Sequence, residues 1–240
     1  MKKIVLILIA FVSVSVAFAQ KNKTKKKFNI GDRAGDHIMF QLTSDHWMGA
    51  PDSVNSRIKS LSRGANVYIM LDRPFKGSPH MSVAFGIGVG TSNMYFNNLN
   101  VDIKSTTSYL PFQNVDSLNH FKKFKVATAY LEVPVELRFS SNPGNDSKSF
   151  KIALGVKVGT LLSAHTKGKS PEDKNNASIN SYTEKQTSKR FFNSTRLLGT
   201  ARIGYGHFSL FGSYQINSIF KDGVAAPIKL LQVGLCLSGL

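Results

Sequence analysis

The stretch FKIALGVKVGTLL, Phe150 to Leu162, alternates bulky and small residues without interruption. Ile152, Leu154, Val156 and Val158 form one row, and Lys151, Ala153, Gly155, Lys157 and Gly159 form the other. A period of two over this length is a strand with two unlike faces. In a soluble sheet the aliphatic row would turn to a core and the lysines to water. In an outer-membrane barrel the aliphatic row would face lipid, and the lysines and glycines would share a crowded lumen. One strand leaves both readings open.

Eight segments share this character, near Asp36 to Met48, Ser62 to Phe75, His80 to Tyr95, Phe124 to Phe139, Lys148 to Leu162, Phe191 to Tyr205, His207 to Asn217 and Ile228 to Leu240. Each is long enough to cross a bilayer as a tilted strand. Their connections alternate. Gly49 to Leu61, Phe96 to Lys123, Ser163 to Arg190 and Ser218 to Pro227 are long, whereas Lys76 to Pro79, Ser140 to Ser147 and the junction at Gly206 are short. An antiparallel up-and-down barrel with both chain ends in the periplasm gives this sorting, with short turns inside and long loops outside.

Aromatic residues extend the argument. Phe75, Phe139, Phe150, Tyr205 and Phe208 abut the short turns, and Trp47, Tyr95, Phe124 and Phe191 lie toward the long loops. Two aromatic girdles at two membrane interfaces are expected. The third strand sets Val83, Phe85, Ile87 and Val89 against Ser82, Ala84, Gly86, Gly88 and Gly90. A face open to bulk water has no reason to be so small, whereas a narrow lumen does. The aliphatic rows are therefore read as lipid-facing, and the fold class as an all-β, eight-stranded antiparallel up-and-down transmembrane β-barrel.

The remaining chain is consistent with export. Lys2 and Lys3, the apolar run Ile4 to Val16 and Ala17-Phe18-Ala19 read as a signal peptide over 1–19. A basic, flexible segment over 20–35 follows, including the run KNKTKKK from Lys21 to Lys27, and the barrel occupies 36–240. The formal net charge is +17, or +15 once Lys2 and Lys3 are removed. Cys236 is the only cysteine, so neither an internal disulfide nor an N-terminal lipid anchor is expected. No apolar helical run of membrane-spanning length follows the leader. Nucleic acid is not expected as a partner of an exported chain that shows no aromatic-basic recognition motif.

GIGVG, Gly86 to Gly90, lies within a strand, not at the strand-to-helix turn a dinucleotide needs. The six histidines, His37, His46, His80, His120, His165 and His207, lack metal-ligand spacing. Asp45-His46 is an acid beside a base with no supporting third element. No catalytic, cofactor-binding or metal-binding residue is expected. PDSVNSRIKSL, Pro51 to Leu61, reads as a short rim helix with Val54, Ile58 and Leu61 on one face.

The inward charges are the best-founded constellation. Parity turns Glu132, Glu136 and Arg138 into the lumen on the fourth strand, Lys151 and Lys157 on the fifth, and Arg196 and Arg202 on the sixth. If Phe139 pairs with Phe150, Glu132 falls opposite Lys157 and Arg138 opposite Lys151. Buried charges demand partners, so a cross-lumen network is expected, either as a structural plug or as the lining of a gated, anion-preferring path.

The leader end at Ala17-Phe18-Ala19, DHIMFQL in the first strand, SRGANVYIML in the second, AFGIGVG in the third and the closing VGLCLSGL together resemble the PorT-type outer-membrane β-barrel proteins of Bacteroidota. The resemblance implies an outer-membrane location and a barrel architecture, and the namesake branch of that family is associated with type IX protein secretion. The expected function is a small closed barrel, monomeric and lipid-embedded, serving as an envelope interaction or assembly component alongside other envelope or secretion-system proteins. A narrow gated channel with a cation-rich lumen is the alternative, and a barrel enzyme a weaker third.

Overall fold

The computed structural model describes residues 38–239. The expected leader (1–19) and basic segment (20–35) lie outside the described residues. The ring is built from β1 (Ile38–Met48), β2 (Arg63–Phe75), β3 (Ser78–Phe96), β6 (His120–Ser140), β7 (Phe150–Glu172), β9 (Thr195–Tyr205), β10 (Phe208–Gln215) and β11 (Lys229–Ser238). Two short strands, β4 (Leu99–Val101) and β5 (Phe112–Asn114), pair as a ribbon inside a long loop. A further strand, β8 (Thr183–Thr187), pairs with the upper part of β7. Each ring strand pairs antiparallel with its sequence neighbour in the ring, β6 joins β7, and β1 pairs with β11 to close the circle. This is a closed eight-stranded antiparallel barrel, which leaves no ring strand with an unpaired edge.

The two faces divide as the period-two pattern demands. Ile69, Ile87, Val133, Leu154, Leu210 and Leu235 stand exposed on the outside, with Leu154 at 60 % and Leu235 at 61 %. Their neighbours Met70, Ala84, Glu132, Ala153, Ser209 and Cys236 are buried inside. A continuous aliphatic exterior around an interior that mixes charged, polar and apolar side chains is the arrangement that lipid, not water, stabilises. Among the described residues no helix is long and apolar enough to cross a membrane.

The barrel is lopsided. β10 has 8 residues, whereas β6 has 21 and β7 has 23. The long connection expected from Ser163 therefore begins as strand, because β7 continues beside β6 to Glu172, where it meets His120. Below, β7 pairs with β9; above, with β8. An irregularity between Ala129 and Tyr130 shifts the pairing at this height, with Tyr130 opposite Leu161 and Ala129 opposite Ser163. The extra residue on β7 moves its buried row from Lys157, Gly159 and Leu161 to Ala164 and Thr166, the re-aiming a β-bulge provides.

The aromatic girdles are only half as expected. Phe75, Phe139, Phe150, Tyr205 and Phe208 do face outward at the short-turn end, with Phe208 at 70 %. At the loop end, Trp47, Phe124 and Phe191 are instead buried in an apolar cap, and only Tyr95 points outward, half-buried. The reason is the loops themselves. They fold back over the barrel mouth and need an apolar core of their own.

Candidate functional site

Two carboxylates organise the lumen. Glu132 accepts hydrogen bonds from Arg196, with Nε at 2.8 Å, and from the Tyr68 hydroxyl at 2.5 Å. Lys157 donates to the Tyr68 hydroxyl and to Gln41 Oε1, both at 3.0 Å, and Asn66 Nδ2 reaches the same Gln41 oxygen at 3.3 Å. The Lys157 ammonium also sits 4.4 Å from the Tyr68 ring centroid and 4.7 Å from that of Phe211. Arg196 lies 4.3 Å over the ring of Tyr130. Nearer the short turns, Glu136 receives Arg138 Nε at 2.9 Å and Arg202 Nη2 at 3.0 Å, and Arg202 Nη1 donates to Ser238 Oγ at 2.9 Å. Lys151 sits close to the turn, opposite Ser140 and Gly204.

Burial makes these contacts matter. Glu132, Lys157 and Arg196 are each at most 1 % exposed. A charge taken out of water at such depth is tolerable only with hydrogen-bonded partners of opposite sign. The ring contacts add cation–π attraction where the cation has lost its hydration.

The glycines supply the room. Glu132 pairs with Gly88 on β3 and Gly159 on β7, and Glu136 pairs with Ala84 and Gly155. A Cβ added at Gly90 would come within 2.6 Å of Glu132 Oε2 and 2.7 Å of Arg196 Nη2. One added at Gly88 would come within 2.5 Å of the Tyr68 ring. The small row of β3 thus exists because long side chains from other strands cross the lumen and pack over it.

The register between β6 and β7 corrects the sequence expectation by two residues. Phe139 pairs with Ile152, so Lys157 stands opposite Pro134 and Lys151 opposite Ser140, while Glu132 and Arg138 face Gly159 and Ala153. A serine-rich turn sets this pairing. Ser141 N donates to Phe150 O at 3.0 Å, Phe150 N donates to Ser141 Oγ at 2.9 Å, and Asn142 N donates to Ser149 Oγ at 3.0 Å. Charges therefore meet across the lumen, reaching over glycines, and not side by side across a strand pair.

A second polar group is uncharged apart from Asp45. Asp45 Oδ1 accepts from Thr43 Oγ1 at 2.6 Å and from Gln232 Nε2 at 2.9 Å. Its sequence neighbour His46 lies on the outer face, hydrogen-bonded to Ser44 at 3.1 Å, so the two cannot act as a pair. Tyr68, Gln41, Asn66 and Gln232 escaped a reading centred on charge. Their inward parity was the available signal.

Above the charges the mouth is closed. Val54 from the first long loop, Leu99, Val101, Ile103 and Leu110 from the second, Phe191 and Phe192 from the third, and Ile219, Phe220 and Ile228 around the fourth bury one another against Trp47 and Phe124. The expected rim helix is a single turn, Asp52–Asn55, that inserts Val54 while Leu61 stays exposed. Polar ties cross the loops. Asn193 Nδ2 donates to Ser218 O at 2.8 Å and Phe220 O at 2.7 Å, Leu110 N to Val224 O at 2.8 Å, and Arg190 Nη1 to Ser105 O at 3.0 Å. Arg57 pairs with Asp116, which holds the Asp116 carboxyl well below the usual carboxylate range. Between cap and network lies a cavity of about 10 Å³ touching Trp47, Tyr130, Arg196 and Gln215, room for roughly one water. Among the described residues no cluster of three His, Cys, Asp or Glu side chains is placed to hold a metal ion.

Comparison with known proteins adds the following. A family model described as outer membrane protein beta-barrel domain matches residues 18–220. No curated protein matches the chain. Among solved structures, the crystal structure of Ail, the attachment invasion locus protein of Yersinia pestis, in complex with the heparin analogue sucrose octasulfate is similar at 12 % identity, covering 84 % of this chain and 95 % of that one with a TM-score of 0.34. Another crystal structure of Ail gives 13 % identity, the same coverage and a TM-score of 0.33.

Proposed function

The chain belongs to the outer membrane protein β-barrel domain family, and from that premise we propose that it acts as a sealed interaction or assembly component of the outer membrane, not as a pore or an enzyme. The observation that carries this reading is double closure. Ion-paired side chains fill the lumen around Glu132 and Glu136, and an apolar cap closes the mouth above them. What remains for function is the outer surface of the loops. There Leu61, Tyr109, Leu118, Ile179 and Tyr182 are exposed on a scaffold that the cap holds rigid. Large apolar side chains kept in water at loop tips are what a protein partner would cover. The resemblance to PorT-type barrels supports type IX secretion as the setting.

Affinity purification from native outer membranes in mild detergent tests the proposal. A wild-type chain should carry a stoichiometric envelope protein, and Tyr109→Ser with Leu118→Ser and Ile179→Ser should lose it while keeping the heat-dependent gel mobility of a folded barrel. A wild type recovered alone even after cross-linking in intact cells would reject the interaction role.

A further inference from the structure

Above the aliphatic band, the outward face of the tall β6–β7–β8 flange changes chemistry. Lys125 pairs with Lys167, and Lys167 with Lys185, so three lysines lie side by side on three strands. One step higher, Lys123 pairs with Lys169. Lysines placed directly opposite one another repel, yet among the described residues none of these five is ion-paired. Nearby, the Tyr95 ring carries Lys125 at 5.6 Å on one side and Arg63 at 5.9 Å on the other, which extends the row across β3 to β2. The same strands carry Ile69, Val89, Leu131 and Val158 on this face lower down.

We infer that this basic row, Arg63, Lys125, Lys167 and Lys185 with Lys123 and Lys169 above it, is a docking surface for the phosphorylated glycolipid headgroups of the outer leaflet. Position argues for the lipid over a soluble anion. Lys125 lies four residues above Ala129 along the outward row of β6, on the order of 10 Å above the aliphatic band once strand tilt is allowed for. Lysine stems can bend that far toward a headgroup layer. Tyr95, amphipathic and half-buried between two cations, sits where interfacial aromatics are favoured. A lipid phosphate would relieve the repulsion with charge-assisted hydrogen bonds. The proposal concerns the flank of the barrel and is independent of the partner reading above.

The test uses the full-length barrel refolded in neutral detergent micelles and titrated with bisphosphorylated lipid A, with its dephosphorylated form and with inorganic tripolyphosphate. Wild type should bind the bisphosphorylated lipid at least tenfold more tightly than the dephosphorylated one. Lys125→Gln with Lys167→Gln and Lys185→Gln should remove that preference, whereas Lys104→Gln with Lys174→Gln and Lys221→Gln, on exposed lysines elsewhere, should keep it. Heat-dependent mobility verifies the fold of each. Equal affinity for the two lipids, equal losses in the two triple variants, or tripolyphosphate binding as tight as the lipid's would each overturn the assignment.

Discussion

The two ends of β7 solve opposite problems with the same strand. From Ile152 to Val158 the exposed side chains are aliphatic and the buried row carries Lys157. From Ala164 to Lys169 the exposed side chains are lysines and the buried row is Ala164, Thr166 and Gly168. Across the molecule the same inversion holds. The membrane half keeps its charged groups inside and its aliphatic rows outside; the cap half keeps its main apolar cluster inside and most of its charges outside. Each half buries what its own solvent rejects, lipid in one case and water in the other. The first is held by a few directed contacts in a low dielectric, and the second by non-directional packing.

Removing the lumen carboxylates should give the largest effect. Glu132→Ala with Glu136→Ala removes the carboxylate that Arg196 and Tyr68 share and the one that Arg138 and Arg202 share. Breaking one buried pair typically costs about 3 to 5 kcal/mol. The urea midpoint for loss of heat-dependent mobility in lipid vesicles should fall steeply, with the cap lost alongside. A midpoint within error of wild type would show that the lumen is wet enough to screen the charges.

A cap lesion should stay in the cap. Phe220 is fully buried, with ring centroids 5.2 Å from Phe192 and 5.6 Å from Trp47. Phe220→Ala should cost about 3 to 5 kcal/mol of packing. Limited proteolysis should then cut the loops between β7 and β9 and between β10 and β11 far faster, while the gel mobility of the barrel is kept. Loss of the folded barrel would mean that the two halves form one cooperative unit.

The strand count, the alternation of long and short connections and the inward parity of Glu132, Glu136, Arg138, Lys157, Arg196 and Arg202 were legible in the pattern along the chain. The partners of those charges were not. Register between β6 and β7 depends on hydrogen bonds of Ser141 and Ser149 inside one turn, and no pattern along a strand reports that. Trp47, Phe124 and Phe191 were misread because strand parity alone cannot tell an interfacial belt from the floor of a cap. The continuation of β7 past Leu162 was hidden by the bulge, which breaks the period where the strand leaves the aliphatic band.

Smaller changes sharpen the contrast. Gly90→Ala should destabilise the barrel by about 1 to 3 kcal/mol through overpacking, since its methyl group meets Glu132 and Arg196. Gly212→Ala, with nothing within 4 Å, should be close to neutral by the same urea assay. The Arg57–Asp116 pair gives the weakest effect, being exposed and screened. The hydrogen bond from Arg57, then that from Asn98, lowers the Asp116 carboxyl. Its contribution is therefore present above the ordinary aspartate range near about 4 and is lost as pH falls through the lower folded value. Loop protection from an acid-active protease should decline only in strong acid, and Asp116→Asn should abolish that step.

Planar-bilayer recording tests the double closure most directly, with wild type, Glu132→Ala/Glu136→Ala, Phe192→Ser/Phe220→Ser and the combination of all four. Two seals in series predict silence from wild type, silence from each double variant, and an anion-selective leak from the combination, whose remaining lumen cations would then be hydrated. Steady conductance from the wild-type barrel would contradict the account and make the protein a channel.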